Sequence, residues 1–153
     1  MKTVRRIVLL FLFVVVGTLV TVSQARAAVS CHKINAKGVG QNLGGGVTEA
    51  EIIGGGLLQG TTVGNFMITG VSGTVASIAG TVVFTTTQAT LTVTVTGIFD
   101  AATGEFSASG AVTGATGKLA GATGALLLEG IEDLSSGRFV EDVTGTVCVD
   151  LAP

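Results

Sequence analysis

The sequence has 153 residues, of which 24 are glycine, 47% are hydrophobic and only 12% are charged, and it contains neither tryptophan nor tyrosine. Ten acidic residues face eight basic ones, so the formal charge is −2. An acidic chain without a basic patch is repelled by phosphate and offers few rings for base stacking, which argues against nucleic acid as a partner.

Residues 1–27 have the pattern of a secretory signal peptide. A basic start precedes an apolar run over 7–22, and Ala25-Arg26-Ala27 forms a small-x-small cleavage site. The run is shorter than the roughly 20 residues that cross a bilayer as a helix, which disfavours a lasting membrane anchor. We expect cleavage after Ala27 and a secreted or periplasmic protein, in which four basic residues remain against ten acidic ones.

Cys31 and Cys148 are the two cysteines of the chain. Export to an oxidising compartment favours one disulfide between them. The alternatives are free thiols, one reactive thiol, or lipidation of Cys31 in the weak acceptor pattern Val29-Ser30-Cys31. His32 is the one histidine and has no second cysteine at ligand spacing, so neither a metal site nor a cofactor is predicted.

Residues 28–50 are polar, glycine-bearing and without a steady period, and we interpret them as part of an irregular N-terminal arm held by Cys31. Beyond the arm, β-branched residues with glycine punctuation dominate, which is typical of strands. Eight short strands at regular spacing predict a sandwich or a barrel. The candidate strands cover 56–60, 62–70, 72–79, 80–87, 90–99, 105–112, 124–134 and 138–150.

The clearest pair of strands is 90–99 with 105–112. Apolar residues alternate with threonines along the first strand, and Asp100-Ala-Ala-Thr-Gly104 supplies a turn, so the pattern predicts a β-hairpin. The threonine row could face ice or polysaccharide, but one row of threonines is common on the outside of an exposed sheet, and we interpret it as that.

The segment Thr113–Gly124 contains Gly-Ala-Thr-Gly twice. It does not match a phosphate-binding loop, because Val112 stands where the first glycine is required and Leu119 where serine or threonine is required. We interpret its glycines as turn or kink positions at strand ends, with Leu119 tucked inward and Lys118 solvated. These structural turn glycines are Gly114, Gly117, Gly121 and Gly124.

A hairpin followed by Thr113-Gly-Ala-Thr-Gly-Lys-Leu-Ala-Gly-Ala-Thr-Gly124 and a further strand resembles the barrel shared by allene oxide cyclases and dirigent proteins. The chain resembles most the small secreted bacterial proteins with such a barrel, over roughly 73–149. The resemblance implies a single all-β domain, an antiparallel eight-stranded barrel with an apolar interior, often assembled as a trimer. The enzymatic features do not carry over, because the one proline is Pro153 and no carboxylate matches a family motif position.

We therefore divide the chain into a signal peptide (1–27), an N-terminal arm (28–55) and a β-barrel domain (56–153). In the last strand, alternation places Cys148 opposite the valine face, so the disulfide would strap the arm across the outside of the sheet. The stretch 125–131 is apolar on both faces, which predicts that the arm or a partner subunit covers its outer face.

Glu129 is the one weak catalytic candidate. If Leu127 faces the interior, Glu129 is a desolvated acid or base; if Leu126 and Leu128 face it, Glu129 lies on the surface, which we favour. The acidic pairs Glu49/Glu51, Glu132/Asp133 and Glu141/Asp142 are interpreted as solvated. A Ser-His-acid triad would depend on His32 beside the disulfide and is not expected.

These observations favour a secreted, non-catalytic barrel that is structural or binds a small apolar ligand. The alternative is an isomerase- or dirigent-like enzyme acting on an apolar substrate. The observation that separates these functions is whether the barrel contains an open cavity with a carboxylate or an interior filled by side chains. A filled interior would exclude both ligand binding and catalysis and leave only surface interactions.

Overall fold

The computed structural model describes residues 29–150, so the predicted signal peptide and its cleavage site lie outside the described residues. Eight antiparallel strands account for nearly all of this part of the chain. None of its helices is long and apolar enough to span a membrane. The strands are β1 (Ser30–Gly44), β2 (Val47–Gly54), β3 (Gly60–Ser72), β4 (Val75–Thr85), β5 (Thr90–Asp100), β6 (Glu105–Ala115), β7 (Thr123–Asp133) and β8 (Arg138–Val149).

Each strand pairs with the next one along the chain, and β1 pairs with β8, which closes the sheet into a barrel. The predicted fold class, an eight-stranded antiparallel barrel, is thereby confirmed. Two short 3₁₀ turns, Gly56–Leu58 and Gly117–Leu119, lie in the connections after β2 and β6. Because the strands run alternately up and down, both turns lie at the same end of the barrel.

The prediction of an irregular N-terminal arm is wrong, because this segment forms β1 and β2, two strands of the barrel wall. The ladder between β1 and β8 runs from Ser30–Val149 to Gln41–Arg138. Period-two alternation is present in β1, but two of its inward positions are Gly38 and Gly40, so the hydrophobic signal is weak.

The strand count is right, although its membership differs from the prediction. Residues 56–60 hold a 3₁₀ turn and only the first residue of β3, while 72–79 and 80–87 are largely two halves of the single strand β4. The turn between β3 and β4 lies instead at Gly73, where φ is +62°. The hairpin of β5 and β6 is confirmed, with Gly104 at φ +78° in its turn.

The disulfide between Cys31 and Cys148 is present and joins two directly paired residues of β1 and β8. Cys148 lies between the inward-facing Val147 and Val149, both essentially inaccessible, so its position on the outer face is confirmed. The disulfide joins the first and last strands where they pair to close the barrel, and it does not hold an arm across the outside of the sheet. Neither cysteine remains as a free thiol.

One end of the barrel, which we call the closed end, is filled by apolar side chains. The two 3₁₀ turns insert Leu58 and Leu119 into it, with 0% and 2% of their surfaces exposed. The inward tuck of Leu119 is confirmed. Strand residues pack beneath these two leucines, among them Ile52, Phe84, Leu91, Val93, Val147 and Val149.

The outer face of β7 stays uncovered within a single chain. Leu126 and Leu128 face the core, whereas Ile131 is 48% exposed. The arm cannot cover this face, because the arm residues are β1 and β2 of the barrel wall. Cover by a partner subunit stays a prediction.

Candidate functional site

The opposite end of the barrel, which we call the open end, contains a cavity of about 630 Å³. It lies below the connections β1–β2, β3–β4, β5–β6 and β7–β8, and inward-facing residues of the strands form its wall. Four phenylalanines supply much of the apolar surface, namely Phe66, Phe99, Phe106 and Phe139. The barrel interior is therefore filled at one end and open at the other.

Glycines on neighbouring strands leave room for the phenyl rings to lie along the wall. A Cβ added to Gly130 would come within 2.6 Å of Cζ of Phe106, and one added to Gly40 within 2.4 Å of Cζ of Phe139. The two rings meet edge to face, with centroids 5.8 Å apart. Because each ring occupies space above a glycine, the centre of the open end stays empty.

Glu141 is the one carboxylate held deep in the cavity wall. It faces inward from β8 with only 7% of its surface exposed. Its cross-strand neighbours are Gly38 on β1 and Gly130 on β7, so no side chain flanks it in the ladder. A Cβ on Gly38 would lie 2.5 Å from Cγ of Glu141, which shows that the acid lies against this glycine.

Burial raises the pKa of the Glu141 carboxyl to about 7, from an ordinary value of 4.5. Desolvation is the cause, since the low-dielectric wall disfavours the charged form. Within residues 29–150 no hydrogen bond or ion pair compensates this carboxyl group. Its pKa places the change of charge near neutral pH, where a carboxyl can exchange a proton or pair with a ligand.

The interpretation of Glu141 and Asp142 as a solvated pair is wrong for Glu141. Only Asp142 lies on the outer face, where its Oδ1 is 2.5 Å from Nζ of Lys37. Strand alternation could have revealed the difference. The valine face of this strand consists of Val143, Val147 and Val149, and one further step of two residues towards the start of the strand reaches Glu141.

A polar bridge lies at the rim of the cavity. Asn42 on β1 and Glu132 on β7 reach across β8, and Nδ2 of Asn42 donates to both carboxylate oxygens of Glu132 at 3.2 Å. Glu132 was also interpreted as solvated; it is half-buried and lines the cavity mouth. Thr48 and Thr62 add hydroxyl groups to the wall.

No basic side chain of the described residues lines this cavity. Lys33, Lys37 and Arg138 lie at exposed positions of β1 and β8, and Lys118 lies in the exposed turn at the closed end. The solvated position predicted for Lys118 is thereby confirmed. The acidic groups of the cavity are thus Glu132 and Glu141, and no basic side chain of residues 29–150 faces them there.

The structure does not bring the sequence-predicted chemistry together. Glu129 lies on the outer face of β7, as favoured, where Ser107 Oγ is 3.4 Å from its Oε1. His32 lies near the start of β1 at the closed end, 2.8 Å from Ser30 Oγ. Neither residue lines the cavity that contains Glu141.

The doubled Gly-Ala-Thr-Gly forms the connection from β6 to β7 at the closed end. Gly117 starts the 3₁₀ turn at φ +59°, Gly121 follows it at φ +77°, and Gly124 enters β7 at φ +141°. Gly114 lies within β6 beside the register shift opposite Thr92. None of the four glycines contributes to the cavity.

The comparisons with known proteins gave no family or relative from which a function could be inferred, so the function is inferred from the geometry of the cavity. A scan of protein-family models, a search of curated proteins and a search of solved structures each found no match. In the part of the chain that the structure describes, no three His, Cys, Asp or Glu side chains are grouped closely enough to hold a metal ion.

Proposed function

We propose that this protein is a secreted, non-catalytic β-barrel that binds a small apolar ligand in the open-end cavity. The observation that supports it is the cavity itself, about 630 Å³ and walled by four phenylalanines. Binding cavities for small molecules commonly occupy roughly 300–1,000 Å³ and are mostly apolar, with few polar groups. Leu58 and Leu119 fill the closed end, so a ligand enters from the other side.

A barrel of eight strands is just wide enough to be filled by its own side chains or to hold one small ligand. Here the closed end follows the first pattern and the open end the second. A purely structural role requires no such space. We therefore prefer ligand binding to a structural role.

One observation favours a second candidate, an isomerase- or dirigent-like enzyme acting on an apolar substrate. The Glu141 carboxyl, with its pKa raised to about 7, has the properties of a general acid or base at neutral pH. Its isolation argues against that role, since no second titratable group hydrogen-bonds to it among residues 29–150. The resemblance to allene oxide cyclase- and dirigent-type barrels, with their trimeric assembly, belongs to this proposal and is supported by strand number and pairing alone.

Binding of a neutral fluorescent probe, N-phenyl-1-naphthylamine, tests the proposed function. The protein has no tryptophan or tyrosine, so its own emission does not interfere. We expect saturable enhancement of probe fluorescence by the wild-type protein. Ala108→Leu, which adds volume at a buried cavity position, should abolish it, because the added side chain occupies the cavity.

Ala111→Leu is the matched control, because Ala111 lies on the exposed face of the same strand, β6. This variant should bind the probe as the wild type does. Equal loss in both variants, or no saturable binding by the wild type, would contradict the proposed function. Circular dichroism spectra of the variants check that the barrel is retained.

Native mass spectrometry of protein purified from its source tests the proposed location and assembly. We expect an N-terminus at Ala28, an intact disulfide and the mass of a bound small molecule. The same spectrum reports whether the barrel is a trimer. A chain that retains residues 1–27 would contradict export with cleavage.

A further inference from the structure

We infer that the ligand is a hydrophobic amine, with its ammonium group paired to the Glu141 carboxylate and its apolar body against the phenylalanine wall. This inference rests on the proposed function, since it specifies the chemical class of the molecule in the same cavity. It is carried by the position of Glu141 and by a cavity lining that, among residues 29–150, contains no basic side chain.

The first argument is the missing partner of Glu141. A buried carboxylate is costly unless it is paired or hydrogen-bonded. Only 7% of the surface of Glu141 is exposed, and no side chain among residues 29–150 pairs with or hydrogen-bonds to its carboxyl group. A ligand ammonium would supply this partner and would recover the interaction that the barrel leaves unmade.

The second argument is access. Gly38 and Gly130 flank Glu141 in the ladder, and the ring of Phe106 lies over Gly130. The carboxyl oxygens still reach the cavity, because among the described residues no fully enclosed side-chain oxygen lacks a hydrogen-bond partner. The apolar side chains of Val82, Ala108 and Leu128 line the same cavity and can contact a hydrocarbon body. A ligand can therefore make its polar and apolar contacts at once.

The third argument separates Glu141 from the acid at the rim. Both oxygens of Glu132 already accept from Nδ2 of Asn42, whereas those of Glu141 accept from no described side chain. Once it is ionised, above about pH 7, Glu141 is thus the cavity carboxylate without a partner among the described residues. Anionic ligands are disfavoured, because two carboxylates would repel them with no cation to compensate.

Few other titratable groups can act on Glu141. From β7, Glu132 faces the cavity, while Glu129 and Asp133 are on the outer face. From β1 and β8, Lys37 and Asp142 pair with each other on the outside, and Lys33 and Arg138 are exposed. A pH effect on binding near neutrality is therefore assigned to Glu141, and Glu132 is the residue to test beside it.

The pairing makes binding of an amine dependent on pH. An ammonium pairs with the ionised carboxylate, and burial keeps Glu141 protonated up to about pH 7. An alkylamine stays protonated well above this range, with a pKa near that of lysine, about 10.4. Amine affinity should therefore rise between about pH 5.5 and about pH 8, while the affinity of a neutral alcohol should stay constant.

The experiment compares octylamine, 1-octanol, 2-octanone and octanoate as competitors of N-phenyl-1-naphthylamine at both pH values. At about pH 8 the wild type should bind octylamine roughly 10- to 100-fold more tightly than 1-octanol, the gain expected of a charged hydrogen bond. Glu141→Gln should lose this preference and keep 1-octanol binding. Glu129→Gln, on the outer face, is the control and should behave as the wild type.

The outcomes distinguish the inference from the proposed function. Binding of 1-octanol without an amine preference, or equal binding of octanoate, would overturn the amine and leave the apolar cavity. Loss of the preference in Glu132→Gln but not in Glu141→Gln would overturn the assigned residue. If 2-octanone binds more tightly at low pH and this gain requires Glu141, the amine is overturned. The ligand would then be a carbonyl compound that accepts a hydrogen bond from protonated Glu141. If no compound displaces the probe, the inference and the proposed function both fail.

Discussion

At the scale of single residues, Glu141 is where this barrel departs from an apolar interior. Strand alternation turns residues 139, 141, 143, 147 and 149 of β8 inward, and all but one are apolar. The exception lies against Gly38, without which the side chain would meet a Cβ at 2.5 Å. The position is therefore shaped to hold a buried acid.

Replacing Glu141 by glutamine should remove a pH dependence of stability. The folded pKa, about 7, exceeds the ordinary 4.5, so as pH rises the unfolded chain loses this proton before the folded chain does. The contribution is full below about pH 4.5 and is lost, by roughly 3 kcal/mol, as pH rises to about 7. Urea unfolding between these pH values should show the slope in the wild type and its absence in Glu141→Gln.

Glu129→Gln is the control and should retain the slope, because Glu129 is exposed on β7. The exposed Asp133 contributes a pH dependence of stability in a lower pH range. Hydrogen bonds from Ser135, and further bonds from Ser136, lower its pKa from 3.8 to about 2, so its contribution is lost as pH falls through that range. A wild-type stability that does not fall between pH 4.5 and 7 would contradict the buried, desolvated state of Glu141.

At the scale of elements, the two 3₁₀ turns decide which end of the barrel is closed. Each occupies a connection between strands and directs a leucine, Leu58 or Leu119, into the core. The connections at the other end insert no such residue, and the cavity remains there. The length and composition of the connections thus divide the interior.

Leu119→Ala should lower the free energy of unfolding by about 2–5 kcal/mol, because it opens a cavity in a packed region. Leu134→Ala is the matched control. Leu134 is 49% exposed in the β7–β8 connection, and the change there should stay within about 0.5 kcal/mol. Urea unfolding of both variants measures the two losses of free energy. Losses of similar size would contradict the packing of Leu119 in the closed end.

The two copies of Gly-Ala-Thr-Gly allow a second comparison. Gly117 and Gly121 both have positive φ, so alanine at either position should cost about 1–2 kcal/mol in backbone strain. A Cβ at Gly117 would also lie 2.1 Å from the carbonyl oxygen of Gln88, whereas at Gly121 nothing lies within 4 Å. Gly117→Ala should therefore destabilise more than Gly121→Ala in thermal unfolding, and the reverse order would contradict the described turn.

At the scale of the whole molecule, closure joins the two ends of the described chain. The ladder between β1 and β8 runs from Ser30–Val149 to Gln41–Arg138, and the disulfide lies one pair in from its end. The barrel therefore has no open sheet edge, which removes the unpaired backbone groups that invite aggregation.

Replacing both cysteines by serine should lower stability by about 4–5 kcal/mol, because the bond closes a span of 117 residues in the unfolded chain. The remaining β1–β8 ladder should keep the barrel folded. Denaturant unfolding of Cys31→Ser/Cys148→Ser against the oxidised wild type measures the loss. Reduced wild type is the control and should match the variant. If both unfold at the same denaturant midpoint as the oxidised wild type, the stabilising role of the disulfide between β1 and β8 is contradicted.

Much of this architecture could be predicted, and the failures have physical causes. The alternation of Leu91, Val93 and Val95 with threonine is strong, so the hairpin of β5 and β6 was predicted closely. In β1 the inward residues include Gly38 and Gly40, whose lack of side chains hides the same alternation. The candidate site depended on this strand, because Gly38 is the residue of β1 that lies opposite Glu141, and the sequence analysis considered Glu129 as the candidate acid instead.

The sequence by itself determined the all-β strand character, the hairpin of β5 and β6, and the apolar side of strands such as β5 and β8. These properties arise from residues within a few positions of one another, through φ preference and period two. The tertiary structure alone decided that β1 pairs with β8, that Leu58 and Leu119 fill one end, and that Glu141 lies beside a cavity at the other end without a partner among residues 29–150. Those features require contacts between residues far apart in the chain, and no local pattern specifies such contacts.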